Sequence, residues 1–365
     1  MTTRTFPISA SELTTDWLTA CLRATGTIGA AAVTSFDVEP IGVGVGMMSD
    51  LCRVVLTYDQ DEPDAPRSAI AKFATPNVSN RAVATTFHIY EREALFLRDV
   101  AAHTTAAIPA VYGVDIDLEA DEFVLLMEDL GEYRTGDQVA GCGPADARLV
   151  LDAAAPLHAA FWANVDQPML AFAPRIDGDI QRVSMSAGCT AGWETCMERF
   201  GAVIPDVIKE ARERYTSSAE DLHRRMGAID QTLIHGDLRL DNIMFGSKPE
   251  HRAAVVLDWQ GVIVSSAAQD VAYLLTQNLT IEDRRIYESE LLHHYHDRLV
   301  AEGVTNYSFE QFEADYDLAA LYLFVYAVVI AGTLDPSNER GMAFMAQLVS
   351  RACTAIVDRD LLRLL

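Results

Sequence analysis

Apolar positions recur at two different periods along this chain. Before about residue 130 they fall in short, strand-like runs at Cys52 to Tyr58, Ala69 to Phe73 and Glu122 to Met127. Two helical patterns accompany them. Ser9-Ala-Ser-Glu12 reads as a capping box opening a helix over residues 9–24, with Leu13, Trp17, Leu18 and Cys21 on its inner face. Thr85 to Val100 reads as the second helix, in which Glu93 interrupts a stripe of Ile89, Phe96 and Val100. A rival stripe of Phe87, Glu91 and Leu95 fits the same letters. From Ala145 onward helical patterns dominate, as at Leu149 to Trp162, Ile281 to Val300 and the apolar run Leu318 to Ala331. Between these, Ile243 to Phe245 and Val255 to Leu257 read as short strands around a turn over Gly246 to Arg252. A chain of 365 residues exceeds what one hydrophobic core supports. The expectation is an α+β protein of two lobes: residues 1–130, an antiparallel sheet with one main helix, and residues 131–365, mostly helical.

The chemistry concentrates in Leu233-Ile-His-Gly-Asp-Leu-Arg-Leu-Asp-Asn-Ile-Met-Phe245 and Val255-Val-Leu-Asp-Trp259. A hairpin about the intervening turn folds residue 243 back on 257 and so sets Asn242 across from Asp258. The Asp-x-x-x-x-Asn spacing brings Asp237 to the same point. Mg²⁺ takes oxygen ligands and needs only one or two from the protein when phosphates and water supply the rest. Asn242 and Asp258 suffice for that, leaving Asp237 to orient or deprotonate an acceptor hydroxyl. This is the equipment of phosphoryl transfer, where positioning and electrostatics carry the reaction. The competing reading is a loop braced by Asp and Asn side chains bonding backbone N–H groups.

These residues resemble the catalytic core of the aminoglycoside phosphotransferase and choline kinase superfamily. The nearest branch is the ecdysteroid-kinase-like group, through Asp-Trp-Gln at 258–260, Leu-His-Ala-Ala-Phe-Trp at 157–162 and Ser-Ser-Ala-Ala-Gln-Asp-Val-Ala-Tyr at 265–273. The resemblance runs from about residue 40 to about residue 275. It implies a two-lobed protein-kinase-like fold, ATP (or GTP) and Mg²⁺ as cofactors, and a small hydroxylated molecule as acceptor.

Such an enzyme needs a strand lysine for the nucleotide phosphates. Lys72 is the one of three lysines that sits in a strand-like run. Its partner is Glu93, with Glu91 as competitor. Gly42, Gly44 and Gly46 precede a strand without a following helix, which fits a nucleotide flap rather than a Walker loop or a dinucleotide fingerprint. By the resemblance, Met127, Glu128 and Asp129 form the adenine hinge, and Asp270 anchors the catalytic loop. Arg239 meets the transferred phosphoryl group or the acceptor, or is an ordinary loop arginine. His235 is a packing residue rather than a base.

Composition trims the alternatives. A net charge of −25 argues against nucleic acid and anionic membrane as partners. Leu318 to Ala331 is too short to span a bilayer and reads as a buried helix lining the substrate lobe, and Met1 to Ala10 lacks an apolar core for a signal peptide. Six cysteines without a Cys-x-x-Cys pair suggest reduced thiols in a cytoplasm and no zinc site. His293, His294 and His296 read as a polar helix face. Trp162, Trp193, Met197, Tyr322 and Tyr326 are either acceptor walls or core. A protein kinase is disfavoured because no activation segment and no Ala-Pro-Glu separate Asp258 from Asp270. A nucleotide-binding pseudoenzyme is disfavoured because every catalytic letter is present. Oligomeric state is open.

Overall fold

The structure is a computed structural model that describes residues 5–41, 48–336 and 338–365. Gly42, Gly44 and Gly46 lie outside the described residues. The chain divides into two compact units. The first runs to Ala102 and takes in Ile108–Glu132 and Asp258–Gly261; the second comprises His103–Ala107, Tyr133–Leu257 and Val262–Leu365.

The first unit holds α1 (Thr15–Ala24), β1 (Val33–Pro40), β2 (Ser49–Tyr58), β3 (Ser68–Ala74), α2 (Val78–Thr86), α3 (Ile89–Leu95), β4 (Val111–Asp117) and β5 (Glu122–Glu128). Its five strands form one antiparallel sheet in the order β1-β2-β3-β5-β4. Period-two alternation turns Cys52, Val54 and Leu56 of β2 inward, where they join Ala69, Ala71, Val124, Leu126 and the α1 residues Leu18 and Leu22 in one apolar cluster. The first helix begins later than the capping-box reading expects. Thr14, with extended backbone, accepts the Trp17 N–H and starts α1, whereas Ser9 opens a single 3₁₀ turn and makes no side-chain cap bond.

The helix expected over Thr85 to Val100 is broken into pieces. It comprises the end of α2, then α3, then a π turn over Phe96–Val100, with His88 at φ +52° between the first two. The hydroxyls of Thr85 and Thr86 bond back to the Arg81 and Ala82 carbonyls, a competition with the helix ladder that weakens its last turn.

The second unit contains β6 (Arg134–Thr135), α4 (Pro144–Ala160), α5 (Asp179–Phe200), α6 (Asp206–Glu210), α7 (Arg212–Ala228), β7 (Thr232–Ile234), β8 (Ile243–Phe245), β9 (Ala254–Val256), β10 (Ile263–Ser265), α8 (Ala267–Gln277), α9 (Ile281–Ala301), α10 (Phe309–Thr333) and α11 (Glu339–Asp358). Two small sheets, β6-β8-β9 and β10-β7, carry the loops that matter here. The run Leu318 to Ala331 belongs to the 25-residue α10, which by length and composition matches a bilayer span; most of it is buried inside the unit. The expected buried helix is thus present, and it is longer than the apolar run because Phe309–Asp317 extend it with polar positions. Trp193 and Tyr322 are core residues, while Trp162, Met197 and Tyr326 are half-buried.

Candidate active site

In the second unit, β7 delivers the chain to His235-Gly-Asp237 at the foot of α8. Asp270, fully buried on α8, accepts the His235 N–H at 2.8 Å on one carboxylate oxygen and the Gly236 N–H at 2.9 Å on the other. Gly236 has φ +78°, a left-handed conformation that side-chain-bearing residues seldom adopt. Behind Asp270, His158 Nε2 lies 3.2 Å from the carboxylate, and its Nδ1 lies 2.7 Å from the Tyr295 hydroxyl.

His235 has both ring nitrogens engaged. Its Nδ1 accepts the Asp237 N–H at 3.2 Å, so the proton sits on Nε2, which donates to the Leu257 carbonyl at 2.9 Å. That arrangement leaves no free base. Replacing Asp270 with Asn puts an amide NH₂ against one of two buried backbone donors. The expected cost is about 1–3 kcal/mol of stability, measured by urea unfolding.

Asp237 Oδ2 accepts from Asn242 Nδ2 at 3.0 Å and from Arg239 Nε at 3.1 Å. Asn242 Nδ2 also donates to the Asp237 carbonyl, which fixes the orientation of the amide. Its Oδ1 then has no hydrogen bond among the described residues, and an amide oxygen left open in this way is a hard-cation ligand. The hairpin register is one residue off the expected one. Ile243 pairs with Val256, and the Leu257 N–H donates to the Asn242 carbonyl, so Asn242 faces Leu257 and not Asp258. The cause is the loop length: β9 starts at Ala254, one residue earlier than the apolar run suggests.

Arg239 extends a chain of alternating charges. Its Nη1 donates to Asp241 at 3.3 Å and its guanidinium lies over the Phe344 ring, while Arg340 reaches both Asp241 and Asp137. Arg340 and Phe344, on α11, escaped the sequence reading. Nothing local to them signals a part in a loop about a hundred residues earlier.

In the first unit, Lys72 lies on β3 between Leu51 of β2 and Leu125 of β5. Only 5% exposed, its ammonium is 2.8 Å from Glu93 and 2.9 Å from Asp258. Burial works against the charge, but Asp258 and Glu93 together outweigh it and hold the Lys72 ammonium above its usual range. Burial likewise raises the Glu93 carboxyl, more than Lys72 lowers it. The two directions agree: one cation shared by two carboxylates is strongly retained, and the more buried carboxylate is the harder to ionise. Glu91, the competitor, instead lies beside His88 at 3.2 Å on a more open face.

Asp258 has φ +61°, a strained conformation of order 1–3 kcal/mol that persists only where its surroundings impose it. The Trp259 ring, stacked on Phe96 at 4.2 Å, supplies part of that constraint. The hinge candidates are engaged within the sheet. Glu128 exchanges bonds with Ala110, giving its N–H to the Ala110 carbonyl and taking the Ala110 N–H on its carboxylate. Asp129 accepts from Arg53, Ser68 and the Gly131 N–H, which outweigh burial and hold its carboxyl below the usual range. Met127 stands between Ile70 and Val111 in the sheet. Both carboxylates are thus committed to the protein's own backbone and side chains.

Among the described residues no group of three or more His, Cys, Asp or Glu side chains is placed to hold a metal. His293, His294 and His296 bond the Ser289 carbonyl, the Asp152 carboxylate and the Tyr307 carbonyl. The six cysteines are unpaired, and all but Cys21 are buried.

A family model described as the ecdysteroid kinase-like family matches residues 43–304. None of the curated proteins compared with the chain matches it. Among solved structures, the GDP complex of a point mutant of aminoglycoside 2′-phosphotransferase-IIIa is 13% identical with a TM-score of 0.53, covering 94% of this chain and 99% of that one. The GDP complex of the wild-type form gives 13%, 0.51, 93% and 98%. An ethanolamine kinase from Plasmodium vivax gives 11% identity and a TM-score of 0.48, over 90% of this chain and 85% of that one. The likeness to the 2′-phosphotransferase, together with the antiparallel sheet and the mostly helical second unit, establishes a kinase-like fold.

Proposed function

We propose, since the chain belongs to the ecdysteroid kinase-like family, that it is a small-molecule kinase which transfers the γ-phosphoryl group of ATP (or GTP) to a hydroxyl of a metabolite. The observation that carries this reading is Lys72, a buried ammonium between Glu93 and Asp258. A buried ion pair rarely improves on apolar packing, and the trio has one negative charge in excess. Such a group is costly as structure and useful as a device for holding phosphates beside a cation.

Asn242, through the amide oxygen left open by its bonds to Asp237, and Asp258, through its carboxylate, would hold Mg²⁺. The metal supplies charge neutralisation at the phosphoryl oxygens. Lys72 would bind non-transferred phosphates, with Glu93 holding its ammonium in place. Asp237, oriented by Asn242 and Arg239, would accept the proton of the acceptor hydroxyl on its other oxygen. Arg239 would meet the transferred group once it leaves Asp241. Gly42, Gly44 and Gly46 remain flap candidates by motif alone. Met127, Glu128 and Asp129 remain hinge candidates by the resemblance alone, with the Glu128 and Asp129 carboxylates already engaged within the protein. A net charge of −25 disfavours a nucleic-acid acceptor.

Incubation with Mg-ATP and a panel of hydroxylated small molecules, followed by mass spectrometry, tests the reading. The expected result is one or more phosphorylated metabolites. Phosphate found only on polypeptide, or nucleotide binding without turnover across the panel, overturns it.

A further inference from the structure

Two residues beyond Asp258, the half-buried Gln260 donates from Nε2 to the Ser49 hydroxyl at 2.7 Å, although 211 residues separate them in sequence. Ser49 is the first residue of β2. Its neighbour Met48 gives its carbonyl to the Tyr90 hydroxyl at 2.7 Å, and that same hydroxyl accepts the Thr75 N–H at 3.1 Å. Tyr90, Glu93 and Phe96 follow one another at three-residue intervals and so share one face of the α3 helix and its π extension. That face bonds the start of β2 through Tyr90, grips Lys72 through Glu93, and stacks on Trp259 through Phe96. Gln260 closes the circuit by joining the Asp258 turn directly to β2. Its amide also stands beside Glu93, where it helps the ionised form against the burial that opposes it.

We propose that Gln260 is a positioning residue that fastens the Asp258 turn to the start of β2, so that the metal carboxylate and the strand next to the glycine-rich stretch are held as one piece. The proposal rests on the kinase reading above and deepens it. Asp258 is held in a left-handed conformation that its own backbone disfavours. Its carboxylate accepts a hydrogen bond from the Lys72 ammonium at 2.9 Å. The Gln260 to Ser49 bond, with the Trp259 ring stacked on Phe96, acts on the turn rather than on the carboxylate. The alternative is a polar side chain bonding the nearest hydroxyl without consequence for the metal.

Calorimetric titration of the full chain with ATP, in the presence and absence of Mg²⁺, separates the two. Gln260→Ala and Ser49→Ala are each expected to weaken Mg-ATP binding about three- to tenfold, the worth of one hydrogen bond. Binding of Mg-free ATP to Ser49→Ala stays unchanged, because that substitution leaves Lys72, Glu93 and the Gln260 amide beside Glu93 in place. The double variant is no weaker than Gln260→Ala alone, since Ser49→Ala removes only the bond that Gln260→Ala has already removed. Ser49→Thr, which keeps the hydroxyl on a strand-favouring side chain, restores wild-type binding. Equal losses with and without Mg²⁺, additive losses, or no loss overturn the proposal while leaving the kinase reading intact. A wild-type chain that binds no ATP at all overturns both.

Discussion

Asp237→Asn is expected to lower phosphoryl transfer by about 10²- to 10⁴-fold, the range for a positioned general base, while Mg-ATP affinity stays within a few-fold of wild type. The substitution is nearly isosteric. An amide oxygen still accepts from Asn242 Nδ2 and Arg239 Nε, the two groups that now hold Asp237 Oδ2. Arg239 also retains Asp241, and the backbone of the loop hangs on Asp270 rather than on Asp237. The fold should therefore survive with an unchanged unfolding midpoint. What disappears is the negative charge that draws the proton from the incoming hydroxyl. Steady-state rates with an acceptor from the panel, paired with nucleotide titration of the same variant, decide the matter. A rate within tenfold of wild type would mean that Asp237 orients the loop and nothing more.

How far the letters go depends on how local the cause is. Strands β2, β3 and β5 are legible because each carries its own alternating or continuous apolar run, but only β2 and β3 are joined by a short connection, and the pairing of β3 with β5 across α2, α3 and β4 has no local signal. The Lys72 to Glu93 pair is legible for a related reason. A carboxylate on a buried stripe demands a counter-charge, and lysine is so scarce that few candidates exist. The α3 boundary is not legible from periodicity, since Thr85 and Thr86 act through hydroxyl bonds that leave the apolar pattern intact. The hairpin register is off by one because an apolar run shows which residues belong to a strand but not where the turn ends. The partners of Asp129 are not legible either: Arg53 and Ser68 come from two other strands, and only the assembled sheet brings them to it. Arg340 and Phe344 reach the loop over residues 237–242 from α11, beyond the region that the family model matches.

Lys72→Met is expected to be the most destabilising substitution among the candidate site residues, by about 3–5 kcal/mol near neutral pH, because it strands a buried carboxylate. Glu93 is 1% exposed and, even with Lys72 present, is held above its ordinary value by burial. Without the ammonium that elevation grows. A carboxyl whose folded pKa exceeds its unfolded value of about 4.3 binds its proton more tightly when folded, so the variant loses stability as pH rises from there through the folded pKa. The deficit relative to wild type should thus be smaller at pH 5 than at pH 8. In the wild type the sign attached to Lys72 is the one for a raised base. Its contribution is complete below the unfolded value of about 10.4 and is lost only as pH climbs through the higher folded value. Adding Glu93→Leu to Lys72→Met should recover most of the stability but none of the Mg-ATP affinity, since the phosphates still lack their cation. Guanidinium unfolding of the two variants at both pH values, alongside nucleotide titration, tests the whole chain of reasoning. If Lys72→Met unfolds like wild type at pH 8, the ammonium is not what keeps Glu93 charged, and the electrostatic basis for reading this trio as a nucleotide site is gone.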